Sequence, residues 1–154
     1  MPKASTPRFY FSLRSPYSWL AYADLHRRYP DLAGRLEWRP FWEPDARSER
    51  MLAEAGGRFV YTPMSKEKHL YILQDIRRLA AERGLRVGWP VDVDPCWEVP
   101  HLAYFAALEH GQGHEFIRLV CDLRWRDGRD ICQPDTMAEA ADRLGLDPGE
   151  LAGA

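Results

Sequence analysis

The chain has 154 residues, a length that suits one domain or a small core with an embedded subdomain. Its 21 basic and 23 acidic side chains give a net charge of −2, which argues against a nucleic-acid-binding protein, because such proteins carry a basic surplus. No run of about 18 apolar residues is present, so the sequence predicts no membrane span, and we expect no export leader because no basic stretch followed by an apolar one opens it.

The first part of the chain predicts a βαβ unit. An apolar and aromatic run over residues 8–12 is typical of a buried strand, and a polar corner and a helix over residues 16–28 follow it. Ser15 suits the N-cap of this helix, and Pro16 suits its first position, where the missing N–H costs nothing. Alternating residues over 36–42 predict a second strand, parallel to the first.

The remaining residues predict helices separated by short connections. Gly84 and Gly145 are expected to end two of them. The arginine-rich stretch 124–130 is interleaved with aspartates, which indicates a solvated helix end. The expected helical ranges are 48–55, 65–83, 100–110, 115–125 and 136–144.

The cysteines and histidines indicate neither a disulfide framework nor a metal site. Cys96, Cys121 and Cys132 are scattered and odd in number, and no metal-ligand spacing connects them. The five histidines form no H-E-x-x-H or similar pattern. We therefore expect unpaired thiols in a reducing cytoplasm and no bound metal.

The corner before the first predicted helix has the features of an anion site. A helix N-terminus offers unpaired N–H groups and the positive end of the helix dipole, and here a strand delivers the Ser15 hydroxyl to it. Arg14 adds a positive charge beside that hydroxyl. These groups together favour a bound anion. A capped helix without a ligand is the alternative interpretation.

The strand followed by Ser-Pro-Tyr-Ser-Trp-Leu over residues 15–20 resembles the start of the DsbA-like thioredoxin-fold branch. That branch contains the kappa-class glutathione transferases and the 2-hydroxychromene-2-carboxylate isomerases. The spacing Lys-x-x-Tyr-x-x-x-Asp-x-x-Arg over residues 68–78 resembles the same group. The resemblance implies an α/β fold with a thioredoxin-like βαβ unit over residues 1–45 and an all-helical insertion domain over residues 46–154.

The sequence departs from the family in two places. Disulfide-exchanging relatives carry Cys-x-x-Cys where Ser15 and Ser18 stand here. Two hydroxyls cannot replace an attacking and a resolving thiol, so dithiol exchange at this site is excluded. The family also continues with a strand after a Val-cis-Pro, a second strand and a closing helix, whereas the Val99-Pro100 of this chain lies at a predicted helix start.

We therefore expect the C-terminal ββα half of the thioredoxin fold to be absent from this sequence. The aromatic strand over residues 9–11 would then lie at an open sheet edge, which favours pairing with another chain. Truncation of a longer protein, completion by a partner chain or a swapped homodimer, and a reduced fold are the alternatives.

The resemblance implies a non-redox, thiol-dependent isomerase or transferase that acts on a small electrophilic aromatic compound. Glutathione or another low-molecular-weight thiol would be the cofactor, and the catalytic Ser15 would donate a hydrogen bond to its sulfur. The rival hypothesis is a non-catalytic thioredoxin-like subunit that binds a partner chain through the open sheet edge. The expected cofactor contacts are Arg14, Ser18, Thr62, Pro63 and Lys68, and the candidates for the substrate pocket are Tyr17, Trp19 and Trp42.

Overall fold

The fold begins with a two-stranded parallel sheet. In the computed structural model, which describes residues 6–152, β1 spans Arg8–Phe11 and β2 spans Glu37–Pro40. Arg8 lies opposite Glu37 and Phe11 lies opposite Pro40. Helix α1, Pro16–Arg28, connects the two strands. The predicted βαβ unit is therefore confirmed.

Helix α1 begins at the predicted cap and ends two residues before Pro30. Ser15 has an extended backbone, its side chain accepts a hydrogen bond from the Ser18 N–H, and Pro16 takes the first helical position. Tyr29 caps the C-terminus of α1. A short helix α2, Pro30–Ala33, follows at once and is not predicted, because a proline that ends one helix also suits the first position of the next.

Helices form most of the rest of the described chain. The expected helix over 115–125 changes register near its end, because the N–H of Asp127 bonds to the carbonyl of Asp122, five residues earlier, at 3.0 Å. Gly145, with φ of 68°, ends a helix as predicted, and the last helix is not predicted. The bounds are α3 Ala46–Glu54, α4 Lys66–Glu82, α5 Glu98–Glu109, α6 Gly113–Cys121, a π-helical segment Asp122–Arg126, α7 Pro134–Leu144 and α8 Pro148–Ala152.

An aromatic cluster packs the sheet against α5. The ring of Phe11 lies 6.0 Å from that of Trp38 and 5.1 Å from that of Tyr104, measured between centroids. The Tyr104 hydroxyl donates a hydrogen bond of 3.3 Å to the carbonyl oxygen of Trp38. All three side chains are buried, so these contacts pack β1, the strand that leads into α1, against β2 and α5.

The non-helical connection between α4 and α5 approaches the π-helical segment closely at Gly88. The Gly88 N–H donates a hydrogen bond of 2.7 Å to the carbonyl oxygen of Trp125. A Cβ at Gly88 would lie 2.5 Å from the carbonyl oxygen of Arg126 and 3.0 Å from the backbone nitrogen of Gly128. Backbone atoms cannot turn aside as a side chain can, so this contact requires glycine.

Gly88→Ala is expected to lower the free energy of unfolding by about 1–3 kcal/mol, because the two backbone segments must separate to admit the methyl group. Urea denaturation measures the change. Gly34→Ala is the matched control, since φ there is −70° and a Cβ would lie 3.6 Å from its nearest neighbour. The control is expected to keep or gain stability, and equal stability of both variants would contradict the prediction.

None of the helices between residues 6 and 152 has the length and apolar character needed to cross a membrane.

Candidate active site at the start of helix α1

The corner between β1 and α1 is held by serine side chains and backbone hydrogen bonds. The Ser15 N–H donates to the Ser12 carbonyl oxygen at 3.0 Å. The Ser15 hydroxyl oxygen accepts from the Ser18 N–H at 3.3 Å, and the Ser18 hydroxyl oxygen accepts from the Ser12 N–H at 3.1 Å. The cap uses Ser15 as an acceptor, so the hydroxyl proton of Ser15 remains available for a ligand.

A buried histidine of α5 stabilises this corner through a hydrogen bond with its backbone. His101 of α5 accepts a hydrogen bond from the Leu13 N–H through Nε2 at 3.0 Å. Its Nδ1 lies 2.6 Å from the carbonyl oxygen of Trp97, so the proton of the neutral ring lies on Nδ1. Burial lowers the pKa of His101 to about 4, which keeps the imidazole neutral at physiological pH.

A cavity of about 660 Å³ opens beside the corner. Arg14, Ser15, Tyr17 and Lys68, which the sequence analysis assigns to cofactor or substrate, all line it. Ser15 and Tyr17 lie at the start of α1, while Lys68 lies in the first turn of α4, whose N-cap is Ser65. The cavity therefore brings together residues from two helices about fifty positions apart. Their roles toward a ligand remain predictions.

The structure places other predicted site residues outside this cavity. Trp19 is buried behind the cavity wall, where its ring stacks on that of Trp125 with centroids 6.5 Å apart. Thr62 and Pro63 are exposed in the connection before α4, and their neighbours, not they, contribute to the cavity lining. The Ser18 hydroxyl oxygen accepts the hydrogen bond from the Ser12 N–H, and Ser18 does not line this cavity.

A second cavity of about 470 Å³ meets the first at the corner. The two cavities share five lining residues, Ser12, Arg14, Ser15, Tyr61 and Met64. Ser18 and Trp42 line the second cavity but not the first, and the second cavity extends along β1 past Tyr10. Trp42 also stacks on His101, with ring centroids 5.1 Å apart. The same histidine that bonds to the backbone of the corner therefore also positions the Trp42 ring.

The far wall of the main cavity contains three residues that the sequence did not point to, Asp92, Arg124 and Trp125. Trp89 and Asp92 from the connection before α5, and Arg124 and Trp125 from the π-helical segment, line it. Arg124 is 3% exposed, so the expectation of a solvated helix end over residues 124–130 is wrong for this residue. Its Nη1 and Nη2 donate to the two carboxylate oxygens of Asp92 at 2.7 and 2.9 Å.

Aromatic rings enclose the Arg124 guanidinium. Its central carbon lies 4.9 Å from the ring centroid of Trp97 and 4.6 Å from that of Trp125. Such contacts offset part of the cost of burying the charge. The Nε of Arg124 and the Nε1 of Trp125 are buried without a hydrogen-bond partner among the described residues. The wall therefore combines a fixed cation with flat apolar surface.

The three cations of the cavity differ in how they are paired. Arg14 forms a salt bridge with Glu43 and lies 5.4 Å above the Trp97 ring centroid. Arg124 is neutralised by Asp92. Lys68 is exposed at the cavity, where its ammonium can meet an anionic group of a ligand.

None of the cysteines lines the main cavity, and all three are free. Cys121 and Cys132 are buried, which raises their pKa and makes the thiolate unfavourable. Cys96, Asp45 and Glu98 have ligand atoms within 4.8 Å of one another. Glu98 accepts hydrogen bonds from the Asp45 N–H at 2.7 Å and from the Cys96 thiol at 3.6 Å, so hydrogen bonds between its own members hold this cluster together.

Comparison with known proteins identifies the fold. A search of curated protein sequences found no match. The solved structure of a 2-hydroxychromene-2-carboxylate isomerase superposes with a TM-score of 0.66 at 21% identity, covering 94% of this chain and 68% of that one. A proposed protein disulfide isomerase from Nitrosomonas europaea superposes with a TM-score of 0.61 at 12% identity, covering 97% of this chain and 70% of that one.

At these identities the two likenesses show a shared fold and no more. The family profile of the DsbA-like thioredoxin domain matches residues 8–154, which is nearly the whole chain. The resemblance inferred from the corner sequence is thereby confirmed, and the chain belongs to the DsbA-like thioredoxin domain family.

Proposed function

We propose that this protein is a non-redox isomerase or transferase that uses glutathione or another low-molecular-weight thiol to act on a small electrophilic aromatic compound. The observation that carries the proposal is the Ser15 hydroxyl. It caps α1 as an acceptor, and its proton is left to donate into a cavity of about 660 Å³ at a helix N-terminus.

The corner suits a thiolate. A bound thiol supplies a nucleophile that adds to an electrophilic carbon and then either leaves again, as in an isomerase, or stays on the product, as in a transferase. Ser15 donates a hydrogen bond to the sulfur, and the helix N-terminus contributes about 0.3–2 kcal/mol in favour of the anion. Lys68, across the cavity, supplies a cation for a carboxylate of the thiol.

The cavity walls suit a flat, apolar substrate. Tyr61, Trp89 and Trp125 line the cavity together with the ring of Tyr17. Aromatic rings offer large contact area at low entropic cost, and they stack on planar ligands. The related fold of a 2-hydroxychromene-2-carboxylate isomerase adds support for an isomerase.

The cysteine arrangement supports chemistry without disulfide exchange. Serine occupies both positions, 15 and 18, where dithiol exchange needs cysteine. The three cysteines are free, which supports a reducing cytoplasmic setting. This proposal separates the chain from the disulfide isomerase with which it shares its fold.

Ser15→Ala is expected to weaken glutathione binding about tenfold or more, because a hydrogen bond to a charged sulfur contributes about 1.5–3 kcal/mol. Calorimetric titration measures the affinity. The same change removes the cap and costs about 1 kcal/mol of stability, so stability must be measured in parallel.

Two further variants separate capping from binding. Ser15→Thr keeps both the cap and the hydroxyl donor, and it should retain affinity. Ser15→Asp keeps the cap but places a carboxylate beside the thiolate, and it should abolish binding. Equal glutathione affinity in the alanine, threonine and aspartate variants would overturn the assigned role of Ser15.

A second candidate function is partner binding through the sheet edge. Within residues 6–152, β1 pairs with β2 alone, and Tyr10 of β1 is 59% exposed. Phe41 and Phe59 stack nearby with ring centroids 5.3 Å apart and line the second cavity. An extended strand of a second copy or of a completing partner chain would pair with this edge. Sedimentation of the purified chain tests it, and a monomer at all concentrations would argue against self-pairing.

A further inference from the structure

Helix α4 is anchored in the core mainly along its C-terminal half. Its buried residues are Ile76 and Ala80, both in the C-terminal half. In the N-terminal half, Leu70 is 50% exposed and Leu73 is 41% exposed. The connection that precedes α4, residues 55–65, is exposed except at Phe59. Within the N-terminal half of α4, Ile72 is partly buried and packs against the core, while Leu70 and Leu73 do not. Core packing therefore fixes the part of α4 that forms the cavity wall less firmly than it fixes the C-terminal half.

Two polar contacts connect α4 to α1. Near the C-terminus of α4, Arg83 donates to both carboxylate oxygens of Asp24 at 3.0 and 2.7 Å. Midway along α4, Asp75 accepts a hydrogen bond of 2.8 Å from the Tyr17 hydroxyl. The second contact is the one nearer to the cavity, and it starts from the first turn of α1.

The Tyr17–Asp75 contact is oriented by further bonds. Arg78 donates to the other carboxylate oxygen of Asp75 at 2.8 Å, which leaves Oδ2 to face Tyr17. The Arg78 and Tyr17 hydrogen bonds lower the pKa of Asp75. Partial burial and the Asp75 carboxylate raise the pKa of Tyr17 to about 12. Donor and acceptor thus keep their protonation states throughout the physiological range.

We infer that Tyr17 is a positioning residue whose hydroxyl, through Asp75, holds the N-terminal half of α4 and its Lys68 over the cavity. This inference rests on the proposed thiol-binding function. Lys68 lies seven residues before Asp75, or about 10 Å along the helix. A tilt of about 10° around the anchored half would displace Lys68 by roughly 2 Å, enough to break its contact with a bound carboxylate.

The test compares Tyr17→Phe, which keeps the ring and removes only the hydroxyl, with Tyr29→Phe, which removes an exposed hydroxyl outside the cavity. Hydrogen exchange is measured first, without ligand. In Tyr17→Phe, amides over residues 69–75 are expected to exchange about fivefold faster, while those of α5 stay unchanged. Unchanged exchange over 69–75 overturns the inference, whatever the binding result.

A double-mutant cycle with glutathione as the probe then separates positioning from general loosening. Tyr17→Phe is expected to weaken binding about threefold to tenfold in the natural chain and by less than about twofold in a Lys68→Met background. An equal loss in both backgrounds overturns positioning of Lys68. If the natural chain binds no glutathione but exchange at 69–75 rises, the proposed thiol function fails and the anchoring of α4 by Tyr17 stands.

Discussion

Asp92→Ala is expected to cost about 3–5 kcal/mol of unfolding free energy, because it leaves the buried Arg124 guanidinium without its counter-ion. Arg124 is 3% exposed, and both of its terminal nitrogens donate to Asp92. Its Nε is buried without a partner among the described residues. Loss of the Asp92 carboxylate would therefore leave the guanidinium without the two hydrogen bonds that it now makes. This loss is a large fraction of the 5–15 kcal/mol that is typical of a domain.

Urea denaturation at neutral pH measures this prediction. Asp142→Ala, at an exposed position of α7, is the matched control and is expected to change stability by less than about 0.5 kcal/mol. Adding Arg124→Met to Asp92→Ala should recover most of the loss, because removing both charges is far less costly than removing one. A loss below about 1 kcal/mol in Asp92→Ala would show that water reaches Arg124.

The local features of the corner could be predicted because their causes are local. Ser15 and Pro16 specify a helix start within two residues, and a hydroxyl cap and a proline at the first position have the same effect in any fold. Gly145 ends α7 for a comparable reason, since its φ of 68° is a conformation that glycine adopts without strain. Family resemblance then supplied the fold that such signals cannot determine.

The far wall of the cavity could not be predicted, because its cause is not local. Asp92 and Arg124 are 32 residues apart, and the bond between them depends on how two segments without strand or regular α-helix approach each other. An arginine flanked by aspartates predicts a solvated surface. The π-helical segment shifts the helical register by one residue, and a period of 3.6 applied across residues 122–126 assigns the wrong face.

Trp19 and Trp42 show the same limit for aromatic residues. A tryptophan near a predicted site is equally compatible with the pocket wall or the core, since both environments favour it. Trp19 is 4% exposed and packs behind Trp125, while Trp42 stacks on His101. Only the packing of α5 and the π-helical segment decides between these positions.

Acidification is expected to destabilise the protein through His101. The pKa of His101 is about 4 in the folded protein and 6.5 in the unfolded chain, because burial disfavours the imidazolium. Between those values the unfolded chain binds more protons, so stability is fully present above pH 6.5 and falls as the pH drops toward 4. The shift corresponds to about 3 kcal/mol over that window.

The structural consequence of protonating His101 falls on the corner that holds Ser15. Protonated His101 would carry N–H groups on both ring nitrogens, and its Nε2–H would face the Leu13 N–H that it now accepts at 3.0 Å. Two donors cannot satisfy each other, and Leu13 lies only two residues before the N-cap. Protonation therefore favours opening of the β1–α1 corner.

His101→Gln tests this account, because its amide oxygen can still accept from Leu13 but does not titrate. Urea denaturation from pH 7.5 to pH 4 should show the difference in stability between the natural chain and His101→Gln shrinking as the pH falls. His69→Gln, at an exposed position of α4, is the matched control and should run parallel to the natural chain. A His101→Gln profile that also runs parallel would mean that His101 accepts a proton without disturbing the corner.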